Sequence, residues 1–129
     1  MGDRANVVII DSSTDLCSRT AVFLYAHWSG SDLPEILACA LKRGRERWDD
    51  APYLARIIFN DMTQGDPQSL TGFGISTDLT DNEYPLLVVD TIQQRVVEYP
   101  ESKYKESGWS ELETCKGVPF AEYKGKWKR

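Results

Sequence analysis

Ala21-Val22-Phe23-Leu24-Tyr25-Ala26-His27-Trp28, followed by Ser29-Gly30-Ser31-Asp32-Leu33-Pro34-Glu35, is the stretch on which the fold turns. The first part has the alternation of a strand, with Val22, Leu24, Ala26 and Trp28 on one face and Phe23, Tyr25 and His27 on the other. Ser29-Gly30-Ser31 breaks it. Asp32 and Glu35 then have capping-box spacing, Pro34 suits a first helical turn, and Leu33, Ile36, Leu37, Ala40 and Leu41 recur as one apolar helix face. A helix over Leu33 to Arg43 is predicted, closed by Gly44 as a left-handed C-terminal residue. Asp50 and Pro52 open a second helix, whose apolar face is Tyr53, Leu54, Ile57, Ile58 and Met62 and whose end is marked by Gly65.

On the N-terminal side, Ala5 to Asp11 is a β-branched run suited to a central strand covered on both faces, and Asp11 to Asp15 favours a turn. The two strands pair antiparallel as neighbours. Downstream, Thr71-Gly72-Phe73-Gly74-Ile75-Ser76-Thr77 alternates, with glycines on one face, a sign that something approaches the backbone closely. Leu86 to Asp90 and Arg95 to Tyr99 form a hairpin. The order is β-β-α-α-β-β-β, an α+β fold with a mainly antiparallel sheet and two helices packed on one face. Residues 1–100 make the core. Residues 101–129 form a strap of the same domain, built of short helical turns around Trp109, Phe120, Tyr123 and Trp127 and fraying from Lys126 onward.

Composition bounds the function. The chain has 129 residues, 41% hydrophobic and 27% charged, as expected of one globular domain. Its net charge of -5 is divided unevenly: 8 Lys/Arg against 15 Asp/Glu up to Pro100, and 7 against 5 beyond it. An acidic body disfavours general nucleic-acid binding. No apolar run is long enough to span a membrane and the N-terminus lacks a signal-peptide pattern, so a cytoplasmic protein without a membrane partner is expected. Cys17, Cys39 and Cys115 read as reduced thiols. With a single histidine, no metal or other cofactor is expected; an oxygen-ligand site around Asp49, Asp50 and Asp61 is the remaining option, though capping already explains the first two.

Alternation puts Arg4 and Asn6 on one side of the first strand, Tyr25 and His27 on one side of the second, and Gly74 and Ser76 on one side of the third. If these sides coincide, a guanidinium, an amide, a phenol, an imidazole and a hydroxyl stand over a glycine floor, which suits a small anionic ligand. Trp28 is placed to stack on a base, and Arg43 and Arg45 to hold a phosphate. The plainer alternative makes Arg4 and Asn6 solvated terminal residues, His27 a local hydrogen-bonder and the arginines an answer to a helix dipole.

Asp3-Arg4-Ala5-Asn6, Tyr25-Ala26-His27-Trp28-Ser29-Gly30, Arg47-Trp48-Asp49-Asp50 through Tyr53-Leu54-Ala55-Arg56-Ile57-Ile58, and Thr71-Gly72-Phe73-Gly74-Ile75-Ser76 resemble a family of small uncharacterised proteins encoded by phages, prophages and plasmids. The similarity covers Met1 to Asp90. It implies a context, interference with host defence in the host cytoplasm, and carries over no catalytic residue. The polar strand residues, the Gly72-Phe73-Gly74 strand, the local arginines and the lack of a recognisable catalytic constellation make capture of a small nucleotide-like signal or metabolite the expected function. Two alternatives stand beside it: a hydrolase or transferase with His27 as general base, and an acidic inhibitor that covers a host protein. A homo-oligomer is compatible with each.

Overall fold

The computed structural model describes residues 2–10 and 21–127; Cys17 and the expected turn from Asp11 to Asp15 lie outside them. The chain folds as α+β, with elements β1 (Ala5–Ile10), β2 (Ala21–Ala26), α1 (Leu33–Arg43), α2 (Ala51–Met62), β3 (Phe73–Ser76), β4 (Leu86–Asp90), β5 (Arg95–Tyr99), α3 (Glu101–Ser107) and β6 (Val118–Pro119). One six-stranded sheet runs β3-β2-β1-β4-β5-β6. Every pairing is antiparallel except β1 with β4, which is parallel. These two strands are the most apolar and occupy the centre, where all eleven of their residues are buried. Continuous β-branched runs suit that position, because neither face meets water.

The two faces have different covers. Val7, Ile9, Leu24, Ala26, Leu87 and Val89 pack under Leu37, Leu41, Leu54 and Ile58 of α1 and α2. Val8, Ile10, Phe23, Val88, Val97 and Tyr99 pack instead against Trp109 and Leu112 of the C-terminal segment. The expectation of a sheet with helices on one face holds for α1 and α2. The opposite face is closed by the strap, through a short helix, α3, that the sequence pattern did not disclose. Tyr104 of α3 sits 5.5 Å from Phe23 and 4.7 Å from Trp109, ring centroid to centroid, and Tyr99 donates its hydroxyl to the Gly108 carbonyl at 2.7 Å.

From there the strap turns around the sheet edge. Val118 and Pro119 pair with Val96 and Arg95 of β5, and Phe120 then enters the core on the helical side. Trp127, expected to fray, is docked: its ring stacks on Tyr84 at 4.7 Å and 11°, and its Nε1 donates to the Gly30 carbonyl at 3.0 Å. Gly125 makes this passage possible. It adopts φ +78°, and an added Cβ would lie 2.9 Å from the Ala38 Cβ and 3.0 Å from the Pro34 carbonyl oxygen.

Three local expectations are corrected. The Asp32 side chain makes no capping bond; a 3-10 turn over Gly30–Asp32 leads into α1, and the carboxylate that serves it is Asp3, which accepts from the Ser31 N–H at 2.9 Å and the Ser31 hydroxyl at 2.7 Å. Gly44 has φ -99°, not a left-handed value. Space explains it: a Cβ there would meet Ile57 and Leu54 of α2 at 3.2 and 3.3 Å. Asp50 does cap α2, through the Tyr53 N–H at 3.4 Å. Strand β2 ends at Ala26, so His27 and Trp28 lie just past it.

Candidate functional site

Register brings the polar strand residues together. Asn6 lies opposite Tyr25, and Tyr25 opposite Gly74; one step along, Phe23 lies between Val8 and Ser76. Arg4 continues the Asn6 side and is close enough to Tyr25 to act on its ionisation. His27 completes the group, with its Nδ1 2.6 Å from the Tyr25 hydroxyl. Arg4, Asn6, Tyr25, His27, Gly74 and Ser76 therefore share one face, away from α1 and α2.

What these groups can do is limited by the partners they already have. Arg4 donates to Glu83 through Nε at 3.1 Å and Nη2 at 2.8 Å, and Asp81 stands 3.6 Å away. The hydrogen bond to Glu83 raises the guanidinium pKa, and the same bond lowers that of the Glu83 carboxyl. A guanidinium held by two carboxylates is a poor anchor for a third anion. Asn6 donates to the Asp81 carbonyl at 3.0 Å and to Asn82 Oδ1 at 3.2 Å; its own Oδ1 is buried without a donor among the described residues. Burial, then the nearby Asp81 charge, raises the Tyr25 pKa, and the phenol shares a hydrogen bond with His27 Nδ1 whose direction follows the imidazole tautomer. Ser76 Oγ accepts from the Asp78 N–H at 3.1 Å. Trp28 is 60% exposed; its ring lies over Gly72, where a Cβ would come within 2.5 Å of it, and stands edge-on to His27 at 5.0 Å. The close approach expected above the glycine strand is thus the Trp28 ring on Gly72.

Beside this face, Asp3 ties the N-terminus to the rest of the fold. It accepts from the Tyr84 hydroxyl at 2.5 Å as well as from Ser31, which lowers its pKa and pushes that of Tyr84 up to about 12.

Arg43 and Arg45 lie elsewhere, at the end of α1. Arg43 is engaged by Asp61 at 2.6 Å, and Arg47 lies 4.9 Å over the Tyr53 ring and 4.0 Å from Asp50. Arg45 and the neighbouring Lys42 make no ion pair among the described residues, and both line a hollow of about 490 Å3. Its other walls are Ala38 and Cys39 of α1, Trp48, and Phe120, Ala121 and Tyr123 of the strap. Trp48 is fixed by its Nε1, which donates to the Leu41 carbonyl at 2.9 Å, and by the Phe120 ring set edge-on at 5.3 Å. The Tyr123 hydroxyl is enclosed without a partner among the described residues, and burial raises its pKa. Sequence reading found Arg45 here but not Lys42, Phe120 or Tyr123, because the strap that closes the hollow carries no motif; the frequency of aromatics in it was the available signal.

Among the described residues no three His, Cys, Asp or Glu side chains converge as a metal set, Asp61 is taken by Arg43, and Cys39 and Cys115 are free thiols. No described helix is long and apolar enough to cross a membrane. Comparison with protein-family models, with curated proteins and with solved structures returns no match to this chain.

Proposed function

We propose that this protein captures a small aromatic anion of nucleotide-like character, and that the hollow between α1 and the strap receives it. The observation that carries this reading is the pairing of two cations with no ion pair among the described residues, Lys42 and Arg45, with walls of Trp48, Phe120 and Tyr123 around about 490 Å3. That volume lies within the usual range for small-ligand sites. A ring can lie against the aromatic wall while a phosphate takes the guanidinium fork. The polar sheet face, with its arginine already held by carboxylates, then shapes the fold's N-terminal end and does not take the anion. In the setting implied by the resemblance to phage and plasmid proteins, the captured molecule is a host signal or metabolite in the host cytoplasm.

The test is calorimetry and tryptophan fluorescence with adenosine 5'-monophosphate, adenosine and inorganic phosphate. The expected result is binding of the nucleotide with quenching of Trp48, weakened by salt, at least about tenfold weaker for Arg45→Ala, and far weaker for adenosine or phosphate alone. Mass spectrometry of the released ligand should return it intact. Absence of binding by every mononucleotide up to millimolar concentration, or equal affinity for adenosine, refutes the reading.

A further inference from the structure

The two sheet edges are finished differently. At β6 the edge strand is two residues long and includes Pro119, which has no N–H to offer. At β3 the edge is Phe73-Gly74-Ile75-Ser76, without charge or proline, and β2 is its only neighbour among the described residues. The phase of the β2–β3 ladder follows from one bond, His27 N–H to the Gly72 carbonyl at 2.9 Å. In an antiparallel ladder the pairs exchanging hydrogen bonds alternate. Gly72, Gly74 and Ser76 therefore turn their backbone groups toward β2, and Phe73 and Ile75 turn theirs outward. Ile75 is also 64% exposed beside Val22, over a groove of about 340 Å3 that reaches Phe59 and Arg56 of α2.

We propose that β3 is the seam of a two-fold symmetric dimer, in which it pairs antiparallel with β3 of a second copy, centred on Gly74, to give a twelve-stranded sheet. The strand is self-complementary for this. Outward-facing residues 73 and 75 are two apart, so rotation about Gly74 sets Phe73 opposite the second copy's Ile75 in a hydrogen-bonding pair, and the reverse. Gly74 then faces Gly74 with no side chain in the way. Ile75 and Phe73 of both copies lie together on the helical side, where they extend the exposed apolar strip of Val22 and Ile75. No charge is buried at the seam. One short strand per copy puts the interface below the roughly 1,200 Å2 typical of stable complexes, so the dimer is weak and concentration-dependent. Each copy carries -5, and salt should therefore tighten it by screening repulsion between the bodies.

Analytical ultracentrifugation of the whole chain from micromolar to millimolar concentration tests this. The expected result is a rise from one to two protomer masses, shifted to lower concentration by salt, with Phe73 and Ile75 amides gaining protection from hydrogen exchange as the dimer forms. Ile75→Lys places a charge on an exposed edge residue and should abolish the rise with little change in melting temperature. Ile75→Pro, which removes a donor that β2 does not use, should do the same. A chain that stays monomeric to millimolar concentration overturns the proposal, as does a dimer that survives both variants or leaves those two amides unprotected.

Discussion

Arg95→Met is expected to be far more damaging than the loss of any other ion pair among the described residues. Asp90, at the end of central strand β4, is 1% exposed and accepts from three donors: the Ile92 N–H at 3.0 Å, the Gln93 N–H at 3.3 Å and Arg95 Nε at 3.0 Å. The remaining guanidinium nitrogens bind the strap, Nη1 to the Cys115 carbonyl at 2.8 Å and Nη2 to the Leu112 carbonyl at 3.0 Å. One side chain thus closes the β4–β5 hairpin and fastens the segment that covers one sheet face. Removing it leaves a buried carboxylate without its counter-charge and two carbonyls without their donors. Loss of one partner of such a pair costs about 3–5 kcal/mol, against at most about 1 kcal/mol for an exposed pair. For a domain of this size that lowers the melting temperature by about 10–20 °C. Urea unfolding followed by tryptophan fluorescence measures it. Asp90→Asn combined with Arg95→Met should recover about 2 kcal/mol relative to the sum of the single changes, since much of the cost is the stranded charge. A loss under 1 kcal/mol for Arg95→Met, or strict additivity in the double variant, would show that the pair behaves as a surface contact and that this account of the strap's attachment is wrong.

Trp127→Ala should cost about 1–3 kcal/mol, from the Tyr84 stack and the bond to the Gly30 carbonyl, and should expose the strap to limited proteolysis ahead of global unfolding. Gly125→Ala should cost about 1–3 kcal/mol because φ is positive and the backbone of α1 occupies the space a Cβ needs; a neutral effect in thermal melts would contradict the close packing there. Acid should weaken the fold in a defined direction. Hydrogen bonds from Tyr84 to Asp3, from Arg4 to Glu83 and from Tyr104 to Asp78 lower the folded-state pKa of each carboxyl. Their stabilising contribution is fully present above the unfolded values of about 3.9–4.3 and is lost as pH falls through the depressed folded values. Melting temperature should therefore fall progressively below about pH 4, with Asp3→Asn showing a shallower decline; a rise on acidification contradicts the assignment.

Much of the fold was legible because its signals are local. The bounds of α1, β4 and β5 follow from an apolar stripe, a β-branched run and the turn between two strands. The polar face was legible for the same reason: period two places Asn6, Tyr25 and Gly74 on matching sides, and register made those sides one. Helix α3 was not, because Glu101–Ser107 has only Tyr104 to turn inward and depends for its position on Phe23, far away in sequence, and on Trp109 just beyond the helix. Asp3 replaces Asp32 at the entry to α1 through a contact that no local pattern encodes. The same holds for the candidate site. That Arg4 is held by Glu83 depends on how the segment before β4 crosses the N-terminus, and the hollow exists only because residues 120–123 return to the helical side.

The proline-bearing edge at β6 has a further consequence for assembly. A sheet with two open edges can add copies without end and become a fibre; a sheet with one can add a single copy and stop. By pairing Val118 and Pro119 with β5, the strap ends the sheet on that side in a two-residue strand that includes a proline. Were β3 to pair with a second copy, growth would end there, whereas freeing the β5 edge of residues 118–119 would leave a second strand open to pairing.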